Sequence, residues 1–383
     1  MKKRLLFVNG HLNTGGVEKS LVDLMNSLDC DKYDVDLILL EGNGEYLDLL
    51  NNNIHVIKYD ISCTYGNFLF VLKKALEMRE VFPVVLKWKL YWAKKNGKHD
   101  FYYAKKLFNL KEYDVAIAYR VDYSCEFVID AIQARKKIVW WHHGACDYNS
   151  SMLGKFRKEF LDCDNVVTVS DGAKKMLEEK FPIVKDKISI VPNMINPENI
   201  IKQAKEFEPK IEKKKINILS VGRLSPEKNF ELVIRVAQIL KEKNFDFCWR
   251  IIGDGVQKNV LINQINEKQL SDCVYLMGSL KNPYPYYKIS DVFVHPSIVE
   301  SQSIVVLEAM IFQLSAVVVK SIGPMGIIKD GINGFLVENN SEEMTNRIIT
   351  IIEGYCFDKN KMRDTVKQYM PEMVVEKFER LLN

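Results

Sequence analysis

Short runs of β-branched and other apolar residues recur along the chain, and stretches with helical periodicity separate them. Such runs predict buried strands, and strands that alternate with helices predict a parallel sheet with helices on both faces. In the first half of the chain the predicted strands are Arg4–Val8, Val35–Leu40, Asn53–Lys58, Val115–Ala118, Lys137–Trp141, Asn165–Val169 and Ile188–Val191. This alternation restricts the fold to the α/β class with doubly wound sheets.

The alternation stops between Asn196 and Lys215, where two prolines and many Glu and Lys residues replace it, and then it starts again. The strands predicted after the break are Ile216–Val221, Cys248–Ile252, Val274–Met277, Val292–His295, Ala316–Val319 and Gly334–Val337. We therefore predict two Rossmann-like domains that face a central cleft, because such sheets bind ligands outside the carboxyl ends of their strands. The predicted segments are a first domain at 1–197, a linker at 198–215, a second domain at 216–370 and a closing helix at 371–383.

Composition excludes several classes of protein. The chain has 383 residues, 47% of them hydrophobic, which is too apolar for a disordered protein, and its net charge of +4 is too balanced for a surface that coats nucleic acid. The eight cysteines form no C-x-x-C pair, and no secretory signal is predicted. No apolar run approaches the ~20 residues of a membrane-spanning helix. We expect a reduced, cytoplasmic protein whose membrane contact, if any, is peripheral.

The segment 220–228, SVGRLSPEK, places two cations after a predicted strand. Arg223 lies in the loop, Ser225 and Pro226 predict a helix start, and Lys228 falls in the first turn. A cation is disfavoured at the positive end of a helix. The position of Lys228 becomes favourable if an anion such as a phosphate binds between its ammonium group and the helix end. The alternative is a pair of solvated surface cations.

A second helix start follows the strand VFVHPS. Glu300 lies in the loop, Ser301 or Ser303 could cap the helix, and Glu308 lies about one turn inside it. Carboxylates accept hydrogen bonds from the vicinal hydroxyls of a ribose or a hexose. Alternatively, Glu308 complements the helix dipole and Glu300 is an ordinary loop charge.

Several strings occur in one order along nearly the whole chain: GGVEKSLV (15–22), TVS (168–170), VPN (191–193), VGRLSPEKNF (221–230), IIGDG (251–255), the E-x7-E of Glu300 and Glu308, and DGINGFLV (330–337). Together they resemble the family-4 retaining glycosyltransferases of the GT-B fold, of the bacterial cell-surface polysaccharide type. The resemblance implies that the second domain holds a nucleoside-diphosphate sugar and that the first holds the acceptor.

The resemblance also implies roles for individual residues. Arg223 and Lys228 would bind the diphosphate, Glu300 the donor sugar and Glu308 the ribose. The remaining donor-binding positions that it implies are Gly15, Gly16, Gly253, Leu276, Ser303, Ile304 and Val305. Glycine at 15, 16 and 253 would let backbone approach the nucleotide without a Cβ in the way, and the base would lie near 276–281.

Two departures from the family pattern stand out. The family usually carries E-G-F-G or E-S-F-G, whereas this chain has Ser301, Gln302 and Ser303 after Glu300. In the loop 322–328, Gly326 replaces the glutamate of the family's G-P-x-E-I-I. The second departure weakens any role for that loop but leaves the diphosphate site intact.

The predicted strand that contains Trp140 and Trp141 ends in His142 and His143. The family carries a histidine at this strand end, near the donor sugar and the acceptor. Adjacent residues on a strand point to opposite faces, so only one of the two can face the cleft, and the sequence does not choose between them. A core histidine is the alternative.

Two Asp-x-Asp pairs, Asp34/Asp36 and Asp162/Asp164, imitate the metal-binding motif of other glycosyltransferases. The first pair opens a predicted strand and the second precedes one at a helix-to-strand turn, so we interpret their carboxylates as solvated turn residues. We expect no metal and no cofactor, because two cations and two helix ends can neutralise a diphosphate.

These features predict a metal-independent hexosyltransferase with a nucleoside-diphosphate sugar as donor, and frequency within the family favours UDP. Two alternatives remain open: a sugar-nucleotide epimerase of the same fold, and a catalytically silent sugar-nucleotide-binding subunit. Nucleic acid is not an expected partner.

A basic and aromatic insertion at 71–111 predicts contact with an anionic membrane. From Lys73 to Lys111 there are eleven basic residues and three acids, a local charge of +8. The segment also contains Phe82, Trp88, Tyr91, Trp92, Phe101, Tyr102 and Tyr103. This composition suits a headgroup zone. We therefore expect a lipid-linked or glycan acceptor and a position at the inner face of the cell membrane; a solvated helix pair that packs on the first sheet is the alternative.

Overall fold

The computed structural model describes residues 2–13, 15–42, 44–58, 68–78, 82–96, 111–144, 157–209 and 216–383. The first sheet consists of β1 (Lys3–Asn9), β2 (Tyr33–Leu39), β3 (Ile54–Lys58), β4 (Tyr113–Ala118), β5 (Ala134–Trp141), β6 (Asn165–Thr168) and β7 (Ile188–Ile190). The second consists of β8 (Ile216–Val221), β9 (Phe247–Ile252), β10 (Val274–Leu276), β11 (Val292–His295), β12 (Ser315–Val319) and β13 (Phe335–Val337). Every strand predicted from the sequence is present.

Both sheets are parallel throughout. The strand order is β3-β2-β1-β4-β5-β6-β7 in the first sheet and β10-β9-β8-β11-β12-β13 in the second. The winding therefore reverses between β1 and β4 and again between β8 and β11, which is the point where doubly wound sheets bind ligands. The predicted fold class, two Rossmann-like domains, is confirmed.

Helices connect the strands. The α-helices of the described ranges are α1 (Gly16–Asn26), α2 (Phe68–Met78), α3 (Phe82–Lys95), α4 (Tyr123–Glu126), α5 (Arg157–Asp162), α6 (Asp171–Lys180), α7 (Pro197–Gln203), α8 (Phe230–Glu242), α9 (Lys258–Glu267), α10 (Tyr284–Lys288), α11 (Ile304–Ile311), α12 (Pro324–Ile327), α13 (Ser341–Ile352), α14 (Lys359–Lys367) and α15 (Pro371–Leu381). A π-helical segment, Phe127–Ala131, follows α4. Within these ranges we find no helix whose length and apolarity would allow it to cross a membrane.

The central strands are buried on both faces, which explains their continuous apolar runs. In β1, Leu6 and Val8 belong to one core cluster, whereas Leu5 and Phe7 belong to the cluster on the opposite face. Side chains of a strand alternate between its faces, so only an uninterrupted apolar run can supply two cores. The second domain has its own large cluster.

The carboxyl ends of the two sheets lie against each other. A Cβ built on Gly144, just after β5, would lie 2.2 Å from the carbonyl carbon of Glu300 in the second domain. A Cβ on Gly172 in α6 would lie 2.4 Å from Cγ2 of Ile322. These approaches close one edge of the predicted cleft.

The chain crosses between the domains twice. In the segment predicted as a linker, α7 already packs its Ile200 into the second core cluster. After α14 the chain returns, and α15 buries Val374, Phe378 and Leu382 in a core of the first domain. The predicted closing helix therefore completes the first domain, while the exact domain limits stay a prediction.

Replacing Phe378 with alanine should lower the free energy of unfolding by roughly 3–5 kcal/mol. Phe378 is fully buried, and its ring centroid lies 5.9 Å from that of Phe7 and 6.0 Å from that of Trp140. Urea denaturation provides the measurement. Met373→Ala, on the exposed side of α15, is the control with an expected change within about 0.5 kcal/mol. Equal effects of the two variants would contradict this docking of α15.

Candidate active site

The loop after β8 carries Arg223 and Lys228. Arg223 is exposed, whereas Lys228 lies in a single 3₁₀ turn, Pro226–Lys228, that Ser225 precedes. A helical turn does begin at Pro226 and contain Lys228, as predicted, but it is a 3₁₀ turn of three residues. Asn229 adopts a left-handed conformation with φ of 54°, which separates the 3₁₀ turn from α8, so that the helix begins at Phe230.

Lys228 and Glu300 form the central contact of the site. The ammonium group of Lys228 donates to Oε1 of Glu300, and Nε2 of His295 lies 3.0 Å from the same oxygen. Strands β8 and β11 are neighbours in the sheet, so the loops that follow them meet at its carboxyl edge. Burial alone would raise the pKa of Glu300, but the charge of Lys228 and the hydrogen bond from His295 outweigh it and hold the pKa at about 2. Glu300 is therefore ionised at neutral pH.

His295 was not among the residues predicted from the sequence. It ends β11, is buried, and stacks on the ring of Phe293 with centroids 6.4 Å apart. The available signal was its position at a strand end directly before Pro296, in the same string that leads to Glu300.

Glu308 lies one turn inside α11, as predicted, and both of its carboxylate oxygens accept hydrogen bonds. Tyr284 donates to Oε1 at 3.0 Å and Tyr287 donates to Oε2 at 2.9 Å. Burial raises the pKa of Glu308, and the two tyrosine hydrogen bonds partly oppose the rise. A carboxylate has about four acceptor positions, so two stay available for vicinal hydroxyls. The tyrosines, three residues apart on α10, were also missed.

Ser303 precedes α11 in a left-handed conformation, with φ of 68°. The sequence offered Ser301 or Ser303 as the cap of this helix, and Ser303 occupies the N-cap position. Its hydroxyl, however, makes no capping hydrogen bond to the helix. Oγ lies 3.3 Å from Nε2 of His295 instead. The next residues, Ile304 and Val305, are half-buried and open the helix, where backbone N–H groups have no partner within the helix.

The glycines predicted to approach the donor differ in their surroundings. Gly253 has φ of 153°, and a Cβ there would lie 1.8 Å from the carbonyl oxygen of Gly222, so this position requires glycine. A Cβ on Gly15 would lie 2.2 Å from Oε2 of Glu18, whereas a Cβ on Gly16 would meet no described atom within 4 Å. Leu276 ends β10, beside the strand that precedes Gly253.

His142 and His143 point to opposite faces of the first sheet, as the strand geometry predicts. His142 is buried between Tyr119 and Trp140, at centroid distances of 4.7 and 5.8 Å, and neither ring nitrogen meets a described partner in full hydrogen-bond geometry. His143 packs on Trp141 at 5.2 Å. Burial is the main cause that lowers the pKa of His142 to about 3 and that of His143 to about 4. The positive charges of neighbouring groups lower both pKa values further. Both rings are neutral at neutral pH.

At least one carboxylate of each Asp-x-Asp pair has a protein partner. Asp36 is buried and accepts from the hydroxyl of Tyr113 at 2.7 Å, and Asp164 accepts from the backbone N–H of Lys137 at 2.7 Å. Asp36 lies in a strand, as predicted, but it is buried, so the interpretation of its carboxylate as solvated is wrong. Among the described residues no group of three or more His, Cys, Asp and Glu side chains is arranged to hold a metal ion.

Comparisons with known proteins show what the chain is similar to. Residues 14–199 match the model of "Glycosyltransferase Family 4", and residues 201–373 match that of "Glycosyl transferases group 1". An uncharacterized glycosyltransferase of Haemophilus influenzae is 27% identical, with all of both chains covered.

Two further proteins are similar to this chain, one over part of its length and one over nearly all of it. An N-acetylgalactosamine-N,N'-diacetylbacillosaminyl-diphospho-undecaprenol 4-alpha-N-acetylgalactosaminyltransferase of Campylobacter jejuni is 33% identical over 57% of this chain and 60% of its own length. The crystal structure of the Anabaena protein HepE in complex with UDP-glucose has a TM-score of 0.74 at 17% identity, with 99% of both chains covered. At that identity the structural likeness shows the fold alone.

We expect Ser303→Gly to be more stable than Ser303→Ala by roughly 1 kcal/mol. Both variants lose the contact between the hydroxyl and His295, but only glycine adopts a φ of 68° without strain. The measurement is thermal or urea denaturation of both variants in parallel. A glycine variant that is less stable than the alanine variant would show that position 303 is not strained.

Proposed function

The chain belongs to the family-4 glycosyltransferases, and from this premise we propose that it transfers a hexosyl unit from UDP-sugar to a hydroxyl of a glycan acceptor, with retention at the anomeric carbon. We further propose that the reaction belongs to the assembly of a cell-surface polysaccharide. The observation that carries the proposal is the contact between Lys228 and Glu300, which places a cation and an ionised carboxylate side by side where the two domains meet.

The diphosphate is proposed to bind Lys228, Arg223 and the start of α11. Lys228 has three donors and gives one of them to Glu300, so two can serve phosphate oxygens. Arg223 is exposed in the same loop, and the N–H groups of Ile304 and Val305 lie at the positive end of the helix. Together these groups would stabilise the negative charge that grows on the diphosphate as the glycosidic bond breaks.

The donor sugar is proposed to lie between Glu300 and the end of β5. Oε1 of Glu300 is held by Lys228 and His295, which leaves Oε2 to accept from a sugar hydroxyl. Of the two histidines we assign His142 to the sugar, because its buried nitrogens meet no described partner in full geometry. Leaving a buried polar group unsatisfied costs about 1–3 kcal/mol, which a bound hydroxyl would recover.

The ribose is proposed to bind Glu308, and the base to lie near Leu276 and the residues that follow. The tyrosine hydroxyls hold the carboxylate of Glu308 in one orientation, and its remaining acceptor positions suit two vicinal hydroxyls. Gly253 supports the same region by allowing its backbone to approach Gly222.

Retention is proposed to follow from attack on the face that the diphosphate leaves. Glu300 is a poor nucleophile, because one carboxylate oxygen is already bound by a cation and by an imidazole. A displacement through a covalent intermediate is therefore disfavoured. The charges of Lys228 and Arg223 would make a divalent cation unnecessary, so we propose that the enzyme is metal-independent.

The acceptor is proposed to be lipid-linked and to reach the enzyme at the inner face of the cell membrane. The exposed apolar surface of α2 and α3, termed the α2–α3 surface, supports this. Its most exposed residues are Leu69 (75%), Leu76 (72%), Tyr91 (61%) and Trp88 (57%). Lys95 lies over the ring of Trp92 at 5.0 Å from its centroid, as expected for a basic and aromatic face that meets anionic headgroups. Residues 97–110 of the predicted insertion, with Phe101, Tyr102 and Tyr103, lie outside the described residues.

The Campylobacter relative has a diphospho-undecaprenol compound in its name. This agrees with a lipid-linked acceptor for the present chain. The apolar side chains that α2 and α3 expose and the local excess of lysine support a membrane surface as the proposal.

Glu308→Gln should weaken UDP binding by about tenfold or more, whereas Glu300→Gln should leave UDP affinity within about twofold and lower kcat by on the order of 10²-fold. The reason is that Glu308 would contact the ribose of UDP, whereas Glu300 would contact only the transferred donor sugar. Calorimetry with UDP and a transfer assay measure the two effects, and Glu342→Gln at the exposed start of α13 is the matched control.

The same assay tests the proposed reaction. Transfer should proceed equally with EDTA and with added Mn²⁺, and NMR of the product should show the anomeric configuration of the donor. Absence of UDP binding and of transfer from any UDP-sugar would refute the proposed function. Isomerisation of the donor without acceptor would indicate an epimerase instead.

The wild-type protein should float with anionic vesicles and less with neutral ones, because each basic residue near an anionic surface contributes about 1 kcal/mol. Leu69→Asp combined with Leu76→Asp should lower binding at least tenfold by removing apolar contact. Ile183→Asp, at a residue that is 58% exposed elsewhere in the first domain, should not change it. Binding to neither vesicle would remove the basis for membrane docking.

A further inference from the structure

Gln302 forms a two-way hydrogen-bonded pair with the backbone of Asn193. Its Oε1 accepts from the N–H of Asn193 at 2.6 Å, and its Nε2 donates to the carbonyl oxygen of Asn193 at 2.8 Å. Gln302 is 1% exposed and Asn193 is 7% exposed. Both backbone groups of a buried residue are thus satisfied by one side chain, and the aromatic residue that the family pattern carries at position 302 could not do this.

Asn193 lies where the chain first crosses between the domains. Its neighbour Met194 packs into a core of the first domain, and Ile195 packs into the core of the second. The N–H of Ile195 donates to the carbonyl oxygen of Tyr369 at 2.9 Å, and Tyr369 precedes the second crossing. The two crossings therefore lie side by side, and Gln302 holds one of them.

The other side of Gln302 is the candidate active site. Glu300 lies two residues before it, and the carbonyl oxygen of Glu300 accepts from the N–H of Gly323 at 2.9 Å. Ser303 follows directly and occupies the N-cap position of α11. Residues 300–303 are therefore fixed to the second domain by Gly323 and to the crossing by Gln302, while Gly144 of the first domain touches Glu300.

From this juxtaposition we propose that Gln302 is a positioning residue, which holds Glu300 and the start of α11 in register with the first domain. The proposal rests on the proposed function. Nucleotide binding uses Lys228, Arg223, Glu308 and the start of α11, all on the second domain, so its affinity depends little on the register with the first domain. Transfer needs it, because donor and acceptor are held by different domains and an error of about 1 Å costs on the order of 10²-fold in rate.

The decisive variant is Gln302→Met, which keeps the length of the side chain and removes both hydrogen bonds. We expect kcat for transfer to fall at least tenfold while the Kd for UDP stays within about threefold. Gln302→Glu keeps the acceptor for the N–H of Asn193 but loses the donor, and its kcat should lie between those of the wild type and Gln302→Met. Gln238→Met, on the outer side of α8, is the matched control and should change neither value.

The outcomes separate the possible roles. If Gln302→Met keeps the kcat of the wild type, or if kcat and UDP affinity fall in parallel, Gln302 is not a positioning residue for transfer. If Gln302→Met does not fold, Gln302→Glu is measured in the same way, and a kcat loss without a matching loss of UDP affinity again supports the proposal. Failure of the wild type itself to bind UDP or to transfer sugar would refute the proposed function instead.

Discussion

A buried carboxylate can stay ionised only if cationic or hydrogen-bonding partners offset the cost of removing it from water. Glu300 meets this condition through Lys228 and His295. Each partner comes from a different part of the second sheet: Lys228 follows β8, and His295 ends β11. Because β8 and β11 are adjacent parallel strands, their carboxyl ends bring the two groups to one point. The arrangement of the site thus depends on the strand order around this ion pair.

The strands, and the positions of Glu300 and Glu308 around a helix start, could be predicted because their signals are local. Strands buried on both faces are uninterrupted apolar runs, and the spacing of Glu300 and Glu308 places one carboxylate before a helix and one inside it. The residues that Gln302 and Lys228 contact could not be predicted, because each lies far from its partner in the sequence. Gln302 pairs with a residue 109 positions away, and Lys228 with one 72 positions away. The helical turn at Pro226 was predicted, but not that it would end after three residues, where the left-handed Asn229 separates it from α8.

The closing helix illustrates a related limit. The pattern of Val374, Phe378 and Leu382 predicts an amphipathic helix, but an apolar stripe does not specify which core it joins. The structure places it against Phe7 and Trp140, on the face of the first sheet that also carries Tyr119 and His142. Val374, Phe378 and Leu382 therefore support the strand end where the donor sugar is proposed to bind. The first domain consequently lacks part of its core until the whole second domain has been synthesised.

Charge is divided unequally across the site. The second domain supplies Lys228, Arg223 and an ionised Glu300, whereas both histidines at the end of β5 are neutral, with pKa values of about 3 and 4. Imidazoles with pKa values this low are weak bases, so neither is suited to take the proton of an acceptor hydroxyl. In the proposed reaction a phosphate oxygen of the leaving diphosphate is better placed to accept it. His142 would then contribute a neutral hydrogen bond that orients the sugar, and the cations of the second domain would stabilise the charge that develops.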